Sequence, residues 1–98
     1  MMFLKNRSAI VTGAGQGIGK AVAETFSAYG ANVLIADLDR KTGLATQSSI
    51  HKKGGKAVFF EGDVSAENDV KNMIACTLDN FGKLDIACNN AALSLHTG

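Results

Sequence analysis

Thr12-Gly13-Ala14-Gly15-Gln16-Gly17-Ile18-Gly19 stands directly between an apolar, β-branched run, Ser8 to Thr12, and a stretch from Ile18 to Tyr29 in which Ile18, Val22 and Phe26 recur at helical spacing. The pattern reads as strand, turn and helix. Glycines at such a junction let the backbone turn tightly and approach a phosphate closely, while the unpaired N–H groups and positive end of the following helix face the negative charge. The amides of Gly17 and Ile18 are expected to point at that phosphate. Gly19, one step into the helix, is expected to let the helix lie close on the sheet.

Outward from the loop, Gly30 sits where a helix C-terminus favours a residue without Cβ strain. Asn32 to Asp37 (NVLIAD) is too continuously apolar for a half-exposed strand, so both its faces should be covered. A weaker helical stretch, Arg40 to Lys53, ends at Gly54 and Gly55, and Lys56 to Glu61 (KAVFFE) gives a third strand. Ser65 is the expected N-cap of a helix whose apolar positions Val70, Met73, Ile74 and Phe81 recur at three-to-four spacing. Gly82 ends that helix, and Leu84 to Asn90 is the expected fourth strand.

Strands alternating with helices of about a dozen residues imply βαβ units, a parallel sheet and right-handed crossovers. The expected fold is a Rossmann-like doubly wound α/β sheet, βαβαβαβ in strand order 3-2-1-4, truncated after strand four. Its ligand crevice should lie at the carboxyl ends of strands one and four, where the order reverses. No proline, internal repeat, low-complexity tract or linker interrupts the pattern. Residues 1–98 are thus read as one incomplete nucleotide-binding domain.

Composition narrows the function classes. With 46% hydrophobic and 19% charged residues, disordered and membrane classes drop out. Ten Lys plus Arg against nine Asp plus Glu leave a net charge of +1, too balanced for a nucleic-acid binder. The two cysteines, Cys76 and Cys88, lack metal-ligand spacing and read as small buried hydrophobes of a reducing compartment. The N-terminal MMFLKNRS has too short an apolar run for a signal-peptide core or a membrane span, so the expected location is the cytoplasm.

Asp37 ends the second strand about 18 residues beyond Gly19, near where a dinucleotide site places a carboxylate for the ribose hydroxyls. A carboxylate there repels a 2′-phosphate, which favours NAD(H) over NADP(H). Asp39 reads as a solvated turn residue. Arg40 has the chemistry to pair with a 2′-phosphate but opens a helix on the surface. After the third strand, Asp63 has the chemistry to accept from an adenine amino group and Val64 to flank the ring; alternatively, Asp63 helps cap the third helix. The two roles are compatible.

Together, TGAGQGIG, Asp37, Gly62-Asp63-Val64 and Asn89-Asn90-Ala91-Ala92 resemble the short-chain dehydrogenase/reductase family across nearly the whole chain. Gly13, Gly17 and Gly19 fill that family's TGxxxGxG loop, whereas the GxGxxG fingerprint begun at Gly13 would need glycine at position 18, which is Ile. The resemblance implies cofactor contacts from Gly13, Gln16, Gly17, Ile18 and Gly19. It also implies Asp37 on the adenosine ribose, Asp63 and Val64 on the adenine, and Asn90 with Ala91 near the nicotinamide-side ribose. Ala92 replaces the glycine that ends the family's Asn-Asn-Ala-Gly, adding a methyl group where a permissive φ is usual. Read from the residues alone, Asn89 or Asn90 satisfies backbone groups where strand four leaves the sheet, and Cys88 packs in the core.

The family's chemistry is carried by Ser, Tyr and Lys, with a further Asn, beyond strand four; the tyrosine takes a proton from an alcohol while hydride passes to the nicotinamide. Here Tyr29 is the one tyrosine, it ends the first helix, and Val33 stands where the lysine would fall. No catalytic residue is assigned, Ser94 included, and His51 and His96 read as surface residues. The implied function is the N-terminal part of an NAD(P)-dependent oxidoreductase acting on an alcohol or ketone, inactive as these 98 residues alone. A noncatalytic nucleotide-binding or interaction module and a Rossmann-like S-adenosylmethionine methyltransferase, for which Gly15 to Gly19 supplies GxGxG, are the alternatives. The open, apolar edge of strand four further suggests self-association, and homo-oligomers are typical of the family.

Overall fold

The computed structural model describes residues 2–90. Strands and helices alternate along it as β1 (Ser8–Thr12), α1 (Gly17–Ala28), β2 (Asn32–Asp37), α2 (Arg40–Lys52), β3 (Lys56–Glu61), α3 (Glu67–Phe81) and β4 (Ile86–Asn89). The strands form one parallel sheet in the order β3-β2-β1-β4, as expected. The register aligns Thr12 with Ala36 on one side and with Asn89 on the other, and Asp37 with Glu61. The carboxyl ends of all the strands therefore meet along one edge.

Alternation along the central strands separates two cores. Val11, Val33 and Ile35 project to one face, where Ala23 of α1 and Ile50 of α2 cover them. Ile10, Leu34 and Ala36 project to the other, against Met73 of α3. Covering both faces removes Val33, Leu34 and Ile35 from solvent entirely, each contributing about 1.5–3 kcal/mol of burial. This is why NVLIAD shows no polar alternation.

The outer edge of β3 is capped from α2. The Phe59 N–H donates to Gln47 Oε1 at 2.7 Å, and His51 Nε2 lies 2.9 Å from the Ala57 carbonyl oxygen. His51 is exposed, as its sequence position implies, yet its ring is tied to the strand. Among the described residues, β4 pairs with β1 alone, so its far edge has no ladder partner there.

Several local expectations need correction. Ala66, not Ser65, is the N-cap of α3, because Asp63 Oδ1 takes both the Ser65 N–H at 2.8 Å and the Ser65 hydroxyl at 2.7 Å. Asp63 accordingly closes a turn on Ser65 and does not cap the helix. Asp39 is no mere solvated turn residue: it is the N-cap of α2, its carboxylate accepting from the N–H groups of Lys41 and Thr42. β4 is shorter than the apolar run; Leu84 packs into the α3-side core, and Asp85 turns toward Ser8. Cys76 and Cys88 are only partly buried.

Candidate functional site

The glycine loop crosses the carboxyl edge of the sheet between β1 and α1. Gly13 and Gly17 both adopt positive φ, 62° and 61°, a conformation costly for any residue with a Cβ. Gly19 sits where the first turn of α1 meets the ends of β1 and β4. A Cβ at that position would collide with the Gly13 carbonyl and stand 2.9 Å from Asn90 Nδ2, so its absence lets the loop fold back over the first turn of α1.

The amino end of α1 differs from those of the other helices. Gln16 is its N-cap but makes no side-chain capping hydrogen bond, and the first turn holds no acidic residue. α2 is capped by Asp39, and α3 carries Glu67 and Asp69 in its first turn. The first turn of α1 thus holds neither a side-chain cap nor a carboxylate of its own to neutralise the positive helix end. Gln16, Gly17 and Ile18 are exposed, Ile18 at 73%, and a Cβ built on Gly17 would meet nothing within 4 Å. The loop is open on the side an anion would approach.

Asp37 ends β2 beside the loop. Its Oδ2 accepts the Gly15 N–H at 2.8 Å and its Oδ1 accepts the Asp39 N–H at 2.9 Å. It lines a cleft of about 290 Å³ with Gly13, Leu38, Gly62, Asp63 and Val64. The apolar side chains of Leu38 and Val64 at that cleft suit a flat ring, and the carboxylates of Asp37 and Asp63 suit hydroxyl or amino donors. The two hydrogen bonds from Ser65, its hydroxyl first, hold the Asp63 carboxyl below the ordinary 3.8, so it is ionised at neutral pH. Arg40 pairs with Glu61 at 3.7 Å, both largely exposed, a surface contact of little energetic weight.

At the β4 end, Asn89 Oδ1 accepts the Thr12 hydroxyl at 3.0 Å, a contact between side chains that ties the ends of β1 and β4 together. Asn90 reaches the loop near Gly19. Ala91, also a predicted cofactor residue, lies outside the described residues, as do Ser94 and His96. The structure therefore gathers Gly13, Gln16, Gly17, Ile18, Gly19, Asp37, Asp63, Val64 and Asn90 along one edge. Tyr29 is the C-cap of α1, at the opposite end of that helix from the loop.

Sequence reasoning missed Leu38, Thr42 and Thr46 and gave Gly15 no role beyond its place in the glycine loop. Thr46 is completely buried and its hydroxyl donates to the Gly15 carbonyl at 3.2 Å. Gly43, Thr46 and Ile50 form the buried stripe of α2, and their three-to-four spacing was the available signal.

A parallel sheet in the order β3-β2-β1-β4, with a glycine loop after β1 and a carboxylate at the end of β2, defines a Rossmann-like α/β protein. The family model for short chain dehydrogenase matches residues 7–98, and the chain belongs to that family. It is 46% identical over 93 residues to a 2,5-dichloro-2,5-cyclohexadiene-1,4-diol dehydrogenase of Sphingobium indicum, covering 95% of this chain and 36% of the relative. It is 40% identical over 90 residues to an uncharacterized oxidoreductase of Thermotoga maritima, covering 92% of this chain and 35% of the relative. A crystal structure of a hydroxysteroid dehydrogenase from Escherichia coli superposes with a TM-score of 0.86 at 34% identity, over 88% of this chain and 37% of that one. The chain thus spans about a third of the length of these relatives. The methyltransferase alternative is set aside by the family match.

Proposed function

We propose that the chain is the dinucleotide-binding part of an oxidoreductase that moves hydride between NAD(H) and a small alcohol or ketone. The observation that carries this reading is the Asp37 carboxylate, held by the Gly15 and Asp39 N–H groups at the rim of a cleft shared with Asp63 and Val64. The bound nicotinamide would supply the hydride acceptor or donor. The chain's own residues bind and orient. The loop N–H groups of Gly17 and Ile18, with Gly13, Gln16 and Gly19 shaping the turn, take the pyrophosphate. Asp37 takes the ribose hydroxyls, Asp63 and Val64 the adenine, and Asn90 the nicotinamide-side ribose.

A second negative charge at the ribose 2′ position would face Asp37, and Arg40 is drawn to Glu61 on the surface. That arrangement supports NAD over NADP. No group of these 98 residues is assigned the proton transfer, so the reading includes no turnover by this chain alone. It includes a cytoplasmic setting, with Cys76 and Cys88 as free thiols, and pairing of chains along the β4 edge. Calorimetric titration with NADH and NADPH, beside an Asp37→Ala variant, tests the cofactor. NADH should bind more tightly, and the preference should vanish in the variant; equal or tighter binding of NADPH by the unmodified chain would overturn the assignment.

A further inference from the structure

We infer that Thr46 is a positioning residue for Asp37, acting through the Gly15 peptide. This rests on the NAD reading above and adds to it a residue of α2 that touches no part of the cleft. Gly15 lies between the kinks at Gly13 and Gly17, is buried, and is held at both ends of its own backbone. Its N–H donates to Asp37 Oδ2 at 2.8 Å, and its carbonyl accepts from the Thr46 hydroxyl at 3.2 Å. A side chain at Gly15 would run into Thr42 Oγ1 and come within 2.8 Å of Asp37 Oδ2, so loop, helix and carboxylate are in close contact.

The connections close on themselves. Asp37 Oδ1 accepts the Asp39 N–H, the Asp39 carboxylate caps α2 through Lys41 and Thr42, and α2 carries Thr46 back to Gly15. Each oxygen of Asp37 is therefore pinned by one N–H, and both N–H groups are placed by α2, one through its cap and one through Thr46. A mid-helix threonine ordinarily returns its hydroxyl to the carbonyl four residues earlier. The Thr46 hydroxyl does lie 3.2 Å from the Thr42 oxygen, but its single proton is shared with Gly15. Without the hydroxyl, the Gly15 carbonyl loses its tie to α2, the Gly15 N–H is free to leave Asp37, and the carboxylate can rotate away from the ribose.

The test is a series at position 46 in the full 98-residue chain, read by NADH and NADPH affinity and by hydrogen exchange of the Gly15 amide. Thr46→Ser should bind NADH as the unmodified chain does. Thr46→Val, of similar shape without a donor, should bind about tenfold more weakly, as for the loss of about 1.4 kcal/mol, with faster Gly15 exchange and a reduced preference over NADPH. Thr46→Val matching the unmodified chain in affinity and exchange would overturn the inference. If the Val variant does not fold, Thr46→Cys, with its weak donor, takes its place: it should fall below Ser, and equality with Ser would overturn the inference. Failure of the unmodified chain to bind NADH would instead refute the underlying cofactor reading, while the Gly15 exchange series would still report on the Thr46 tie.

Discussion

Ser8 and Asp85 clasp each other where β1 and β4 begin. The Ser8 N–H donates to Asp85 Oδ2 at 2.9 Å, and the Asp85 N–H donates to the Ser8 carbonyl at 2.9 Å. Arg7 and Lys83 stand 3.5 Å and 3.8 Å from the same carboxylate. The hydrogen bond from Ser8, aided by Lys83 and Arg7 and opposed by partial burial, holds the Asp85 carboxyl below the ordinary 3.8.

A depressed folded-state value means that ionised Asp85 stabilises the fold fully above the ordinary 3.8 and that this contribution is lost as pH falls through the lower folded value. Asp63 acts in the same direction and window. Urea midpoints measured from neutral pH down to about pH 2 should therefore fall on the acid limb. Asp85→Asn, which keeps an acceptor for the Ser8 N–H but not the charge, should be less stable at neutral pH and show a shallower acid limb.

The Ser8 hydroxyl is buried with no hydrogen-bond partner among the described residues. A buried polar group left unpaired costs about 1–3 kcal/mol. Ser8→Ala removes it without touching either backbone bond to Asp85. Thermal unfolding should show the variant equal to the unmodified chain or more stable by up to about 1 kcal/mol, and a clear loss would reveal a partner for that hydroxyl.

Two glycines are fixed by what stands over them. At Gly43 a Cβ would strike the Phe59 ring, and at Gly19 it would strike the Gly13 carbonyl. Overpacking of this kind costs about 1–3 kcal/mol, which outweighs the gain of up to about 1 kcal/mol from placing alanine in a helix. Gly43→Ala should lower stability while sparing NADH affinity, because neither Gly43 nor Phe59 lines the cleft beside Asp37. Gly19→Ala moves backbone in the loop and should lower both. Calorimetry on the two variants separates these outcomes.

Gln47 and His51, one turn apart on α2, occupy the outward N–H of Phe59 and C=O of Ala57. Their removal exposes a strand edge capable of pairing with another chain. Gln47→Ala with His51→Ala should cost about 1–2 kcal/mol for the two hydrogen bonds and increase the sedimenting mass at high concentration. An unchanged mass distribution would show that these side chains do not guard the edge.

The strand order and the position of the glycine loop were legible because they depend on period and spacing. Continuous apolar runs such as Asn32–Asp37 mark buried parallel strands, and glycines at 13, 17 and 19 mark a turn that few other residues permit. Polar side chains serving backbone were harder to read. Asp39 became a cap and Ser65 did not, because the winner is decided by which N–H groups the local turn presents to Asp39 and Asp63. At Gly19 the spacing marks a position that a side chain would crowd, while the atoms in the way, the Gly13 carbonyl and the Asn90 amide, are visible only in three dimensions. Thr46 went unnoticed because a threonine on the inner face of a weakly amphipathic helix looks like packing until the carbonyl of Gly15 is seen beside it.

The double tether on Asp37 limits how the proposed coenzyme preference can be re-engineered. Replacing the carboxylate with alanine or glycine to admit a 2′-phosphate also strands the backbone N–H groups of Gly15 and Asp39. Asparagine can satisfy one of them with its single oxygen, while its amide turns a donor toward the other. A redesign that turns the proposed NAD preference toward NADP therefore has to rebuild two backbone acceptors along with the charge, and a successful one should carry compensating changes in the 39–46 segment as well as at position 37.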